Sequence, residues 1–179
     1  MPSPVGHALG GFAFGWLAAG SSRLDRPVLA AILFAGLGVL PDVDILVEDS
    51  HRLYTHSFAA VALVAALAAV SPRAAGPRVP AGSRRSLIAA CTAAYASHLL
   101  LDWLGDDRSV PYGIRAWWPI TDAYFQSDLR WFPQVERQYW LPGFLTANLH
   151  AVGWELVLLS PLVALALWMR GRGVPSRQA

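Results

Sequence analysis

Lysine is absent from this chain, and cysteine occurs once. All fourteen basic residues are arginine, an absence better explained by a GC-rich genome than by a mechanism. Cys91, alone in an apolar stretch, excludes an intrachain disulfide and a cysteine-based zinc site. Charge is scarce as well. Only 15% of residues are charged, against about 25% in a typical globular chain. The formal net charge of +2 is too small to point to a nucleic-acid partner. No positive charge precedes the apolar run Val5–Gly20, whereas Arg23 and Arg26 follow it. A secretory signal needs the reverse order, so this run reads as a retained helix with its N-terminus outside.

Apolar residues fill the space that charge leaves. They make up 55% of the 179 residues, largely Ala, Leu and Val in blocks. Five segments stand out, roughly Val5–Gly20, Pro27–Leu40, Phe58–Val70, Ser86–Leu104 and Ala151–Met169. This predicts an all-α, polytopic membrane bundle of about five transmembrane helices, rather than a soluble helical bundle with a large core. Several segments fall short of the ~20 residues a perpendicular span needs. Pro27 suits a first helical turn, Pro41 marks the end of the second helix, and Thr55 or Ser57 suits the cap of the third. Gly6, Gly10, Gly11 and Gly15 would let helices approach closely.

The whole chain, 1–179, reads as one membrane-embedded domain. Ser71–Arg85, rich in Pro, Gly and Arg, reads as a loop. Residues 105–149 read as an interfacial loop, with Trp117, Trp118, Trp131 and Trp140 at headgroup level. Residues 171–179 read as a flexible cytoplasmic tail. Alternate connections hold Arg23, Arg26, Arg73, Arg78, Arg84, Arg85, Arg170, Arg172 and Arg177 against a single acid, Asp25. The other side holds five arginines and eleven acids. By the positive-inside rule the arginine-rich side is cytoplasmic. The expected topology is N-terminus out and C-terminus in, in the inner membrane.

This topology gathers the ionisable groups. His7, the stretch PDVDILVEDSHRLYTHS (residues 41–57), SHLLLDW (97–103), His150 and Glu155 all fall at the outer ends of helices. His98 and Asp102 are four apart, on one helix face. An imidazole and a carboxylate at that spacing make a two-point metal clamp. Asp42 and Asp44 follow a helix end. His51 and His56 are five apart, not on one face, so at least one precedes the third helix. Oxygen and nitrogen ligands without sulfur suit zinc first, with manganese or iron as alternatives, as one or two divalent ions. Taken singly, each residue has a bland reading: a structural His7, a buried His98–Asp102 hydrogen bond, solvated Asp42 and Asp44. Charged groups at membrane depth are expensive and usually functional. The sequence leaves the roles of His150 and Glu155 open, and reads Asp106 and Asp107 as solvated loop charges.

His7, PDVD, HRLYTHS and SHLLLDW followed by WWP (residues 117–119) resemble the YdjM-type family of membrane-bound metal-dependent hydrolases. The resemblance runs from His7 to about Pro119 and implies a bacterial or archaeal inner-membrane hydrolase. A more distant likeness is to the zinc-dependent phospholipase C and P1-nuclease group, whose ligands follow the order His, Asp, His, His-x-x-x-Asp. Here Glu155 lies five after His150, so a second His-x-x-x-acid pair is missing. The expected metal ligands are His7, Asp42, Asp44, His56, His98 and Asp102. The expected catalytic residues are His51 as a proton donor, Arg52 on a phosphate oxygen, and Asp44, which stands in both sets. Hydrolysis of a phosphoester, membrane-lipid or other lipid-derived small molecule is the expected activity. The alternative is metal binding or transport-associated function without hydrolysis, and helix centres such as AAVALVAALAAV (residues 59–70), which hold no polar group, argue against a pore. A scaffold whose cluster only staples helix ends is the third reading.

Overall fold

The computed structural model describes residues 1–20, 26–46, 52, 54–71, 81–108 and 110–172. Among these lie five α-helices and no strand: α1 Pro4–Ala19, α2 Pro27–Val39, α3 Phe58–Val70, α4 Ala81–Trp103 and α5 Phe144–Arg172. A 3-10 helix, Leu40–Leu46, continues α2 without a break. The fold is all-α, as the apolar blocks predict.

The caps follow from local chemistry. Pro27 opens α2, where its missing N–H costs nothing. Ser57 caps α3 by accepting from the Ala60 N–H at 3.2 Å. Ser3 caps α1 in the same way through the Gly6 N–H. Beyond Val39 the chain tightens into the 3-10 helix, whose three-residue turn brings Pro41 and Asp44 to one buried face.

Two expected boundaries move. The first turn of α4 begins at Ala81, so Ala81–Arg85 belong to a helix and not to the loop before it. The fifth helix begins at Phe144, seven residues before the first apolar block residue Ala151, because Gly143 at φ 89° ends the preceding turn. Residues 144–149 therefore leave the expected loop. Of the flexible tail expected at 171–179, residues 171 and 172 instead continue the fifth helix, while 173–179 lie outside the described residues, as does His51.

α1 is the hub. It runs antiparallel to α2, with Gly11 against Phe34 and Gly38 and Gly15 against Phe34. It runs antiparallel to α4, with Gly10 against Leu101 and Ser97. It runs parallel to α5, which meets it at Gly6 through Glu155 and at Trp16 through Arg170, 4.7 Å over the indole. α3 packs on α4. The core between them is small: Ala13, Trp16, Ala19, Phe34, Ala90 and Ala94 are its centre.

The outer faces invert the soluble pattern. α3 has no buried residue at all, and Val28, Leu63 and Val70 are 72%, 60% and 71% exposed. Such faces aggregate in water and are at home in lipid. Two stretches are long and apolar enough to cross a membrane: Pro27–Leu46, mean hydropathy 2.0, and Phe144–Gly171, mean hydropathy 1.8. α1 and α3, at 16 and 13 residues, span about 24 and 20 Å at 1.5 Å per residue, less than a ~30 Å hydrocarbon core.

Residues 104–143 form an irregular layer over one end of the bundle. It is stitched to the last residue of α4 by Ser127 N–H to Trp103 O, and Trp131 N–H bonds Leu104 O just beyond the helix end, both 2.8 Å. Its own Ile114 and Phe132 are buried, in apolar clusters with Leu99 and with Leu101 and Leu159 respectively.

Candidate metal centre

That end of the bundle holds the ionisable groups. His7 sits one turn into α1, Asp42 and Asp44 in the 3-10 helix, His56 just before the Ser57 cap, and His98 and Asp102 in the last turns of α4. His7, His56, His98 and Asp102 are each no more than 1% exposed. Asp42 is the most open member, its side chain 19% exposed.

Asp102 is the centre. Its Oδ1 is 3.3 Å from His7 Nε2; its Oδ2 is 3.1 Å from His98 Nε2 and 3.3 Å from His56 Nε2. His56 Nε2 and His98 Nε2 are 3.0 Å apart. Asp42 Oδ1 closes on His56 and His98 at 3.5 and 3.6 Å. The His7 and His98 rings stack with centroids 3.8 Å apart.

Two of the three imidazoles, His98 and His56, are aimed from behind. The Gly38 carbonyl accepts from His98 Nδ1–H at 2.7 Å, which leaves Nε2 facing the cluster. Thr55 Oγ1–H donates to Asp44 Oδ2 at 2.5 Å and so accepts from His56 Nδ1–H at 2.9 Å. Asp44 itself lies 3.4 Å from that same nitrogen. Of the two carboxylates after Pro41, Asp42 therefore joins the cluster, and Asp44 stands behind His56. The Thr55 carbonyl is in turn pinned by the Tyr95 hydroxyl at 2.8 Å.

The arrangement is short of a cation. Burial is the strongest influence on His56 and opposes its charge, yet Asp102, Asp42 and Asp44 together outweigh it and hold its pKa well above the ordinary value. Both Asp102 oxygens and His7 Nδ1 are buried with no hydrogen-bond partner. Such orphans are rare in finished structures, and an ion among the imidazole Nε2 atoms would satisfy the two Asp102 oxygens. Two triads, His7–Asp42–His98 and His56–His98–Asp102, bring their ligand atoms within 4.8 Å of one another and share His98. In the second triad the separations are 3.0, 3.1 and 3.3 Å. Ligands about 2.0–2.2 Å from a tetrahedral zinc sit ~3.3–3.6 Å apart, so the groups need to move only by tenths of an ångström. The His/Asp cluster can hold a metal ion.

The family described as YdjM inner membrane protein matches residues 1–174. The chain belongs to that family. No curated protein and no solved structure matches it. The family places the chain in the inner membrane, in line with the two long apolar helices.

Arg52 is buried and spoken for. Its backbone, at φ 65°, donates to Asp44 Oδ2 at 2.8 Å, and its guanidinium pairs with Asp107 and reaches the Gly113 carbonyl. It braces the turn that carries His56 rather than facing open space. Asp106 and Asp107, expected to be solvated, are 8% and 4% exposed. The reason is that the irregular layer folds over them: Asp107 accepts from Arg52 and Gly113, and Asp106 from Arg108.

Glu155 is the functional-end residue that motif reading missed. It is fully buried, takes the Ser3 N–H at 2.5 Å, and takes the Ser3 hydroxyl. It thereby fixes the cap of the helix that carries His7. His150, on another face of α5, is exposed. The signal was present: a lone acid inside a long apolar run is costly without a partner. Glu155→Leu would leave two buried donors unsatisfied, at about 1–3 kcal/mol each. It is expected to lower the melting temperature and to weaken metal binding by about 10–100-fold. Calorimetry and a metal titration would check this; unchanged affinity would show that the cap does not support His7.

Proposed function

We propose that this chain is a membrane-bound metal-dependent hydrolase of phosphoester or lipid-derived substrates, and that its site faces the extracytoplasmic side of a five-pass bundle. The single observation that carries the reading is the sharing of His98 between two His/Asp triads with unsatisfied carboxylate oxygens at their centre. A structural staple would satisfy its own hydrogen bonds. The alternation of arginine-rich and acidic connections supports the orientation. The up-and-down packing of α1, α2 and α4 supports the pass number, with the short helices lengthened by tilted or interfacial flanks.

His98 has only Nε2 free and serves one ion at a time, so His56–His98–Asp102 or His7–Asp42–His98 would hold a divalent ion, zinc first by donor type. Such an ion would supply Lewis acidity, polarising a substrate oxygen and making water acidic enough to attack at neutral pH. The chain's own groups do the rest. Asp44 and Thr55 fix the His56 tautomer, and the Gly38 carbonyl fixes that of His98. Asp42, the most exposed member, marks the side from which a substrate enters. Arg52 keeps Asp44 in place through its backbone N–H.

Purified protein should contain stoichiometric transition metal and cleave a chromogenic phosphoester. His98→Ala removes the residue common to both triads. It is expected to cost more than the ~100-fold that loss of an outer partner costs, while the variant stays folded in detergent. Wild-type protein free of bound metal under metal-replete purification would sink the reading; metal without turnover would leave a metal-binding membrane protein.

A further inference from the structure

Two cavities of opposite polarity open along the irregular layer over the bundle end and share one side chain, Arg130. The first, about 360 Å³, is lined by Asp106, Asp107, Arg108, Tyr112, Gln126 and Arg130. The second, about 610 Å³, is lined by Trp131, Pro133, His150, Trp154, Leu158 and again Arg130. Both lie in the size range of small-molecule sites. The polar cleft reaches the cluster through one chain of contacts: Asp107 pairs with Arg52, whose N–H holds Asp44 behind His56.

Arg130 is the hinge of the pair. It is exposed, has φ 46°, and makes no hydrogen bond or ion pair among the described residues. The other cleft charges are engaged: Arg108 with Asp106 at 2.7 Å, and Asp107 with Arg52. One cation is therefore left over, at the mouth common to a polar and an apolar cavity. The apolar groove has a fixed wall, because Trp154 Nε1–H donates to the Trp131 carbonyl at 2.9 Å. Its floor is α5, one of the two stretches long enough to cross the membrane. The groove runs along one face of that helix, from His150 through Trp154 to Leu158, and indole is a side chain that membrane interfaces favour.

We propose that these two cavities are one phospholipid seat: the phosphate on Arg130, the headgroup in the Asp106–Gln126 cleft, and an acyl chain along Trp154 and Leu158. A free anion would use the cleft and leave the groove without purpose; an uncharged lipid would leave Arg130 without a partner. The catalytic meaning of the seat rests on the hydrolase reading, with the seat on the Arg52–Asp107 side of the metal centre, where those residues brace Asp44 behind His56. Its existence does not.

The test uses the full chain in non-ionic detergent and short-chain phosphatidylglycerol with brominated acyl chains, which quench nearby tryptophan. Wild type should show saturable quenching, most of it lost in Trp154→Phe. Arg130→Gln should raise the half-saturation concentration by about ten-fold or more, the loss expected for a charge-assisted contact, and Arg130→Lys should recover part of it. All three side chains share the same left-handed backbone, so strain does not change among them. Excess unlabelled lipid should displace the probe, whereas inorganic phosphate alone and brominated diacylglycerol should neither displace nor saturate. Equal binding by Arg130→Gln overturns the proposal. So does displacement by phosphate alone, or saturation by diacylglycerol. Saturable lipid binding without phosphoester turnover sinks the hydrolase reading alone; turnover with an Arg130→Gln variant indistinguishable from wild type sinks the lipid seat alone.

Discussion

Asp102→Asn is expected to abolish metal binding while leaving the bundle intact. The residue touches His7 through one oxygen and both His56 and His98 through the other. An amide of the same shape keeps the packing but gives up the negative charge that offsets a cation. Loss of an outer partner at a metal site costs about 10–100-fold, so loss of the central ligand should exceed 100-fold in affinity. The readout that separates function from mere structure is the metal-dependent shift in melting temperature. At a free metal concentration of 100 times Kd, binding to the native state alone adds about 2.7 kcal/mol. Wild type should show that gain and Asp102→Asn should not. If both melt alike with and without zinc, manganese and iron, the cluster is a staple between helix ends.

The site was more legible than the architecture around it. His98 and Asp102 declared themselves by helical spacing, and PDVD by its place after a helix. Convergence followed from counting which connections carry arginine. What the sequence could not say was which of the paired carboxylates turns inward. That depends on the 3-10 turn, which sends Asp44 behind His56 and leaves Asp42 beside it. Nor could it show that Asp106 and Asp107 are buried, because their cover comes from residues 113–132, far along the chain and without periodicity. The apolar blocks located the helices well, yet their lengths were set by features outside the blocks. The 3-10 helix extends α2, and a turn at Gly143 starts α5 early. Glu155 was visible as an oddity, but its partner is a backbone N–H near the start of the chain, which no side-chain motif encodes.

Gly11→Ala tests how tightly the fold and the site are tied. A Cβ at Gly11 would lie 2.4 Å from the Phe34 carbonyl oxygen and 2.7 Å from the Gly38 Cα. At the facing position, a Cβ on Gly38 would lie 2.3 Å from the His7 carbonyl oxygen. These neighbours are backbone, so no side chain can rotate away. α1 and α2 must separate instead. Overpacking of this kind costs about 1–3 kcal/mol and occasionally more, and a backbone clash belongs at or above the upper end. The same seam positions the metal centre, since Gly38 presents the carbonyl that orients His98, and α1 carries His7 one turn from Gly11. Gly11→Ala should therefore lower the melting temperature and the metal affinity together. Gly36→Ala, on α2, meets nothing within 4 Å and should leave both unchanged. A Gly11→Ala protein with wild-type stability and wild-type metal affinity would mean that the helices do not meet at this seam.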